Sequence, residues 1–265
     1  MSPHTRARHA ALAAACLTLL AACGSITDPG DVTAEPYYGE LMAKRRPTPP
    51  PPPPPDPVAH SPVLFVHGWN ASASTWTTMV SRFKADGWTD RELVNFSYSY
   101  SQSNATTAQL LASKVDSVLA ATGATRVQIV THSMGALSAR YYVRNLGGAT
   151  KVDGLVSLGG PNHGTTTAYL CFQVSCMEMY PGSNFLNALN ATDETWGDTR
   201  YATWWSACDE VINPDSSVPL AGAVSNTQTA CITHSALHED ATVYTQVRDF
   251  VNRTPTALLA SAFER

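Results

Sequence analysis

From Ser61 onward, short apolar or β-branched runs alternate with longer segments whose apolar positions recur every three or four residues. "PVLFVHG" (62–68) predicts a buried strand. "SASTWTTMVSRFKADG" (72–87) predicts a helix, with Ser72 or Ser74 as its cap and Gly87 as its stop. Strand "ELVNFSYSY" (92–100) and helix "NATTAQLLASKVDSVLAATG" (104–123) follow, the helix capped by Asn104 and closed by Gly123. Next come strand "RVQIVTH" (126–132), helix "MGALSARYYVRNLGG" (134–148) and strand "VDGLVSLGG" (152–160). A long stretch without a period precedes strand "TRYATWWSACD" (199–209), strand "QTACITH" (228–234) and helix "EDATVYTQVRDFVNR" (239–253). Strands separated by crossover helices imply an α/β fold: a mostly parallel central sheet with helices on both faces. Chemistry on such sheets gathers at the carboxyl ends of the strands.

The first sixty residues obey other rules. Arg6 and Arg8 precede the uncharged stretch from Ala10 to Ala22, which is 13 residues long. A bilayer span needs about 20, so residues 1–22 read as an export signal and not a transmembrane helix. The signal ends in Leu20-Ala21-Ala22-Cys23, resembling the lipobox of bacterial lipoproteins, in which the cysteine is acylated and becomes the mature N-terminus. Residues 47–57 hold nine prolines in eleven positions, which as polyproline II extend about 34 Å. Residues 23–57 therefore read as a lipoprotein-type N-terminus with a stiff stalk, 58–253 as the folded α/β domain and 254–265 as a tail. The expected location is outside the cytoplasm, at the cell surface on a lipid anchor or secreted.

Composition narrows the classes. The 265 residues are 44% hydrophobic and 14% charged, enough for one sizeable core. Net charge is −4, and removing the leader with its two arginines makes it more negative. No basic stripe interleaved with aromatics occurs, which argues against nucleic-acid binding. No stretch points to a protein partner. Six cysteines reduce to four once the signal and Cys23 are set aside: Cys171, Cys176, Cys208 and Cys231. An even number in an exported chain favours two disulfides. The favoured pairing is Cys171 with Cys176 and Cys208 with Cys231. Neither pair has the C-x-x-C spacing of a zinc site.

The candidate chemistry starts at Ser133. It stands between an apolar run and a helical pattern, where a tight strand-to-helix turn would push its hydroxyl above the sheet edge. Gly135 meets the crowding of such a turn, while Thr131 occupies a position where a small residue is usual. A serine hydroxyl attacks only when a histidine takes its proton, and that histidine needs a carboxylate to fix its tautomer. Asp209 and His234 close the last two expected strands, so all three candidates fall at strand carboxyl ends. The rivals for the histidine are His238 above all, then His132, whose adjacency to Ser133 should make its side chain diverge, and His67 and His163, read as supports. The rivals for the acid are Glu210, Asp193, Asp198 and Asp215. The backbone amides of Trp69 and Met134 are candidate donors to the oxyanion of acyl transfer. A Cys208–Cys231 bridge would tie the acid loop to the histidine loop.

Together "VHGWN", "THSMG", "SLGGPNHGT", "CDEVI" and "ITHSALH" resemble the small exported bacterial triacylglycerol lipases and esterases of the class 2 type, in the α/β-hydrolase superfamily, over residues 61–252. The resemblance implies a compact α/β-hydrolase fold and a Ser133, Asp209, His234 triad with the Trp69 and Met134 amides as oxyanion hole. It also implies hydrolysis of carboxylic esters without metal or organic cofactor. The chain departs from the pattern at Thr131 and in residues 165–199, an insertion longer than in compact members. With Tyr169, Leu170, Phe172, Met177, Met179 and Phe185 this insertion suits either a partial lid meeting lipid or a loop packing its own apolar residues. Polyester hydrolysis or acyl transfer at the same site is the enzymatic alternative. A lipid-anchored, non-catalytic scaffold on a hydrolase fold is the other.

Overall fold

The computed structural model describes residue 53 and residues 55–252. The expected signal, Cys23, most of the stalk and the 254–265 tail lie outside the described residues.

Among the described residues, six strands form one sheet: β1 (Val63–Val66), β2 (Leu93–Phe96), β3 (Val127–His132), β4 (Val152–Leu158), β5 (Arg200–Trp205) and β6 (Ser225–Gln228). Their order is β2-β1-β3-β4-β5-β6, and every neighbouring pair is parallel. The central strands are buried along their whole length, as expected where helices cover both faces. Strand alternation divides the core. Val63 and Phe65 pack with Met79 and Phe83 of α1 (Thr77–Ala85) and with Val243 and Val247 of α6 (Ala241–Val251). Leu64 and Val66 face the other way, with Leu111 and Val115 of α2 (Asn104–Thr122) and Ala139 and Tyr142 of α3 (Gly135–Asn145).

Local signals set the helix ends. Ser72 caps the 3-10 turn that leads into α1, and Gly123 closes α2 in the left-handed region at φ 71°. The N-cap of α2 is Ser103, not Asn104: its hydroxyl accepts from the Ala105 amide at 3.1 Å. Asn104 is instead buried between Ser138 Oγ, which donates to its Oδ1 at 2.7 Å, and the Glu178 carboxylate.

Two further expectations need correction. The strand expected over 228–234 is displaced, since β6 ends where 228–234 begins. Its pairing stops with Gln228 opposite Trp205, the last residue of β5, and beyond that point no strand backbone remains to pair with. The Ser206 hydroxyl substitutes for the ladder, donating to the Ala230 carbonyl at 3.3 Å and accepting from the Ile232 amide at 3.1 Å. The stretch without a period is also not structureless. It contains a 3-10 turn (Thr166–Leu170), α4 (Val174–Glu178) and α5 (Asn184–Asn190), segments too short for helical periodicity to stand out.

Candidate active site

Ser133 sits between β3 and α3 with φ 56°, a left-handed backbone that costs a non-glycine residue about 1–3 kcal/mol. Two glycines make room for the corner. A Cβ on Gly135 would fall 2.5 Å from the His67 carbonyl oxygen, and one on Gly68 would fall 2.7 Å from Ser133 Cβ. Thr131 fits because its side chain turns into the sheet, where its hydroxyl donates to the Val156 carbonyl at 2.7 Å. The branched residue satisfies itself within the core, so no small residue is required there.

Asp209 and His234 both lie in loops past the strands assigned to them. Asp209 is four residues beyond Trp205, and His234 precedes a 3-10 turn at Ser235–His238. They are nevertheless joined: Asp209 Oδ2 is 2.8 Å from His234 Nδ1, and both side chains are almost fully buried. A carboxylate only accepts, so Nδ1 carries the proton and Nε2 is the ring atom able to accept one. The other Asp209 oxygen accepts from the amides of Val211 at 2.8 Å and Ile212 at 2.9 Å, which fixes the carboxylate plane. Gly159 lies against this pair, and a Cβ there would sit 3.1 Å from His234 Nδ1.

Ser133 and His234 line one cavity of about 550 Å³. Ala168, Leu170, Met179, Val211 and Ile212 form much of its apolar wall, while Trp69, His132 and His238 complete the polar and aromatic side. Trp69 follows β1 at the cavity mouth, its indole donating to Gln173 Oε1 at 2.8 Å, and Met134 opens α3 directly after the serine. The Tyr98 hydroxyl donates to the His67 carbonyl and its ring stacks on the His67 imidazole.

Several rival residues are placed otherwise. His238 lines the cavity without a hydrogen bond to Asp209, whose Oδ2 is taken by His234, and burial holds its pKa below the ordinary histidine value. His163 bridges the Ser217 carbonyl and the Glu194 carboxylate, fastening the insertion. Asp193 accepts from the Thr195 amide at 2.8 Å in its own turn. Glu210 does reach the site: its carboxylate accepts from the His234 amide at 3.0 Å. His132 also reaches the site, its Nε2 lying 3.0 Å from the His234 carbonyl oxygen. Neither contact is signalled in sequence, since each joins positions more than twenty residues apart through loops of irregular path.

Both expected disulfides are formed, Cys171–Cys176 and Cys208–Cys231. The first bridges the cavity wall at the insertion. The second joins the residue before Asp209 to the one three before His234. The insertion divides its apolar residues: Ala168, Cys176, Met179, Leu186 and Leu189 pack onto Met134 and Leu137, with Phe185 stacked on Tyr141. Tyr169, Leu170, Phe172 and Met177 face solvent, Leu170 and Phe172 being 85% and 86% exposed.

The family model described as Lipase (class 2) matches residues 60–254, well over half the chain. The fold is similar to that of Aspergillus fumigatus lipase B, with TM-score 0.64 and 16% identity over 73% of this chain and 53% of that one. It is similar as well to the mature form of Bacillus licheniformis lipase BlEst2, with TM-score 0.65 and 17% identity over 75% of this chain and 96% of that one. This chain thus spans about half the fungal protein and nearly all of the mature bacterial one. At such identities the likeness is one of fold, and the family assignment rests on the matched model. With that match over the sheet, the serine corner and both loops beyond it, the chain belongs to the class 2 lipase family of carboxylic ester hydrolases.

Proposed function

We propose that this protein hydrolyses acylglycerols or related lipid esters through Ser133, His234 and Asp209. The observation that carries the proposal is the Asp209–His234 hydrogen bond of 2.8 Å, beside a cavity into which the strained Ser133 corner also opens. With Nδ1–H held by Asp209, His234 Nε2 accepts the Ser133 proton as Oγ attacks the ester carbonyl. The tetrahedral oxyanion is met by the backbone amides of Trp69 and Met134, each such donor contributing about 3 kcal/mol at the transition state. The C–O bond to the alcohol then breaks, and the alcohol leaves with the proton from His234. Water attacks the acyl-enzyme, His234 takes its proton, and the carboxylic acid departs as Ser133 Oγ is reprotonated. The apolar wall of Ala168, Leu170, Met179, Val211 and Ile212 suits an aliphatic acyl group over a charged one.

Residues 1–57 support export, with anchoring through Cys23, as part of the same proposal. The activity is tested by incubating the full chain with a fluorophosphonate and with p-nitrophenyl esters from acetate to palmitate. Labelling confined to Ser133, with turnover lost in Ser133→Ala, is the expected result. A folded Ser133→Ala variant that keeps its turnover would overturn the proposal.

A further inference from the structure

The backbone of His234 is gripped at both ends. Its amide donates to Glu210 Oε2 at 3.0 Å, its ring Nδ1 is bound by Asp209 at 2.8 Å, and its carbonyl oxygen lies 3.0 Å from His132 Nε2. Asp209 and Glu210 share the acid loop, as does Cys208, whose disulfide to Cys231 ties that loop to the histidine loop. These anchors fix the base against the acid and leave its distance from the serine undefined. His132 is different, because it is the residue directly before Ser133, at the end of β3.

We infer that His132 is a positioning residue that registers His234 against Ser133, through a hydrogen bond from the strand carrying the serine to the backbone of the base. The inference rests on the serine-hydrolase reading of this site. A carbonyl oxygen only accepts, so His132 presents Nε2–H to it. The ring is nearly enclosed, with centroids 4.5 Å from His234 and 4.7 Å from His238. Burial, and secondarily any charge on His234 or His238, holds its pKa well below 6.5. It therefore remains a neutral donor while a positive charge comes and goes on His234. The titratable groups around it are His234 and His238, with Asp209 and Glu210 beyond His234 and Glu239 beside His238. A base displaced by about 1 Å loses on the order of 10²-fold in rate, which makes this register consequential.

The full chain is compared with His132→Gln, His132→Asn and His132→Phe for kcat and KM on p-nitrophenyl butyrate, for the pH profile of kcat, and for thermal midpoint. Glutamine places an N–H near the position of Nε2, whereas asparagine is too short and phenylalanine has no donor. The expected result is near wild-type kcat for glutamine and a fall on the order of 10²-fold for asparagine and phenylalanine, with KM nearly unchanged. The acid limb of the glutamine variant should coincide with that of the wild type, because a group that stays neutral has been replaced by another. Wild-type kcat in the phenylalanine variant, equal losses in glutamine and phenylalanine, or a displaced acid limb in the glutamine variant would each overturn the inference. If the phenylalanine variant does not fold, equal kcat in the glutamine and asparagine variants overturns it. Loss of turnover in Ser133→Ala with all His132 variants unaffected would sink this inference alone; turnover surviving Ser133→Ala would sink the reading beneath it.

Discussion

Gly68 lies directly against Ser133: a Cβ on the glycine would stand 2.7 Å from the serine Cβ and 3.2 Å from its Oγ. The loop after β1 and the corner after β3 therefore touch with no space for a methyl group. Gly68→Ala should cost about 1–3 kcal/mol by overpacking, read by thermal unfolding. It should also lower kcat/KM on the order of 10²-fold by displacing the serine. Unchanged turnover in this variant would mean that the corner yields freely.

Asp209→Asn keeps an oxygen for the Val211 and Ile212 amides but can turn an NH2 toward His234 Nδ1. The imidazole then takes the wrong tautomer, with its proton on Nε2. The variant should retain its melting temperature within a few degrees and lose kcat by a factor of about 10⁴. Steady-state kinetics beside a thermal melt checks both halves.

The Cys208–Cys231 bridge closes a separation of 23 residues, and its removal in a Cys208→Ser, Cys231→Ser variant should cost about 3 kcal/mol in the chain-entropy model. The Cys171–Cys176 bridge closes five, and its loss should cost less, about 2 kcal/mol. Denaturant unfolding of the two double variants ranks them. The reverse order would show that loop closure is not what these bridges contribute.

His67, His132 and His238 are all held below the ordinary value of 6.5, first by burial. The unfolded chain takes up protons at these sites near pH 6.5, while the folded chain takes them up only at lower pH. Stability is thus fully present above 6.5 and falls as the pH drops below it. Thermal midpoints measured stepwise through the acid range should decline, and His132→Gln should decline less steeply. A midpoint that stays level or rises on acidification would contradict this account.

Phe172 is 86% exposed on the disulfide-closed loop beside the cavity mouth. If that surface meets lipid, Phe172→Ser should leave turnover of a soluble short-chain ester unchanged and weaken adsorption to an emulsion. Fully burying such a ring contributes about 1.5–3 kcal/mol, the upper bound for the loss. Equal adsorption in centrifugation assays with triacylglycerol emulsions would assign the loop to self-packing alone.

Periodicity and punctuation alone determined the α/β class, the order of the main strands and helices, and the corner that carries Ser133. Those features depend on which side chains recur at periods of two or 3.6 residues and on where glycine and serine break the run. Cysteine parity and spacing likewise carried both disulfides. What tertiary structure decided lies in the loops beyond β5 and β6. There the Ser206 hydroxyl replaces a strand, and His132 and Glu210 take hold of the His234 backbone. No local pattern encodes these contacts, because each brings together groups whose separation depends on the path of an irregular loop across the sheet edge. Thr131 marks the same boundary. By sequence it is an awkward neighbour for a tight turn, and only the position of the Val156 carbonyl on the adjacent strand makes it fit.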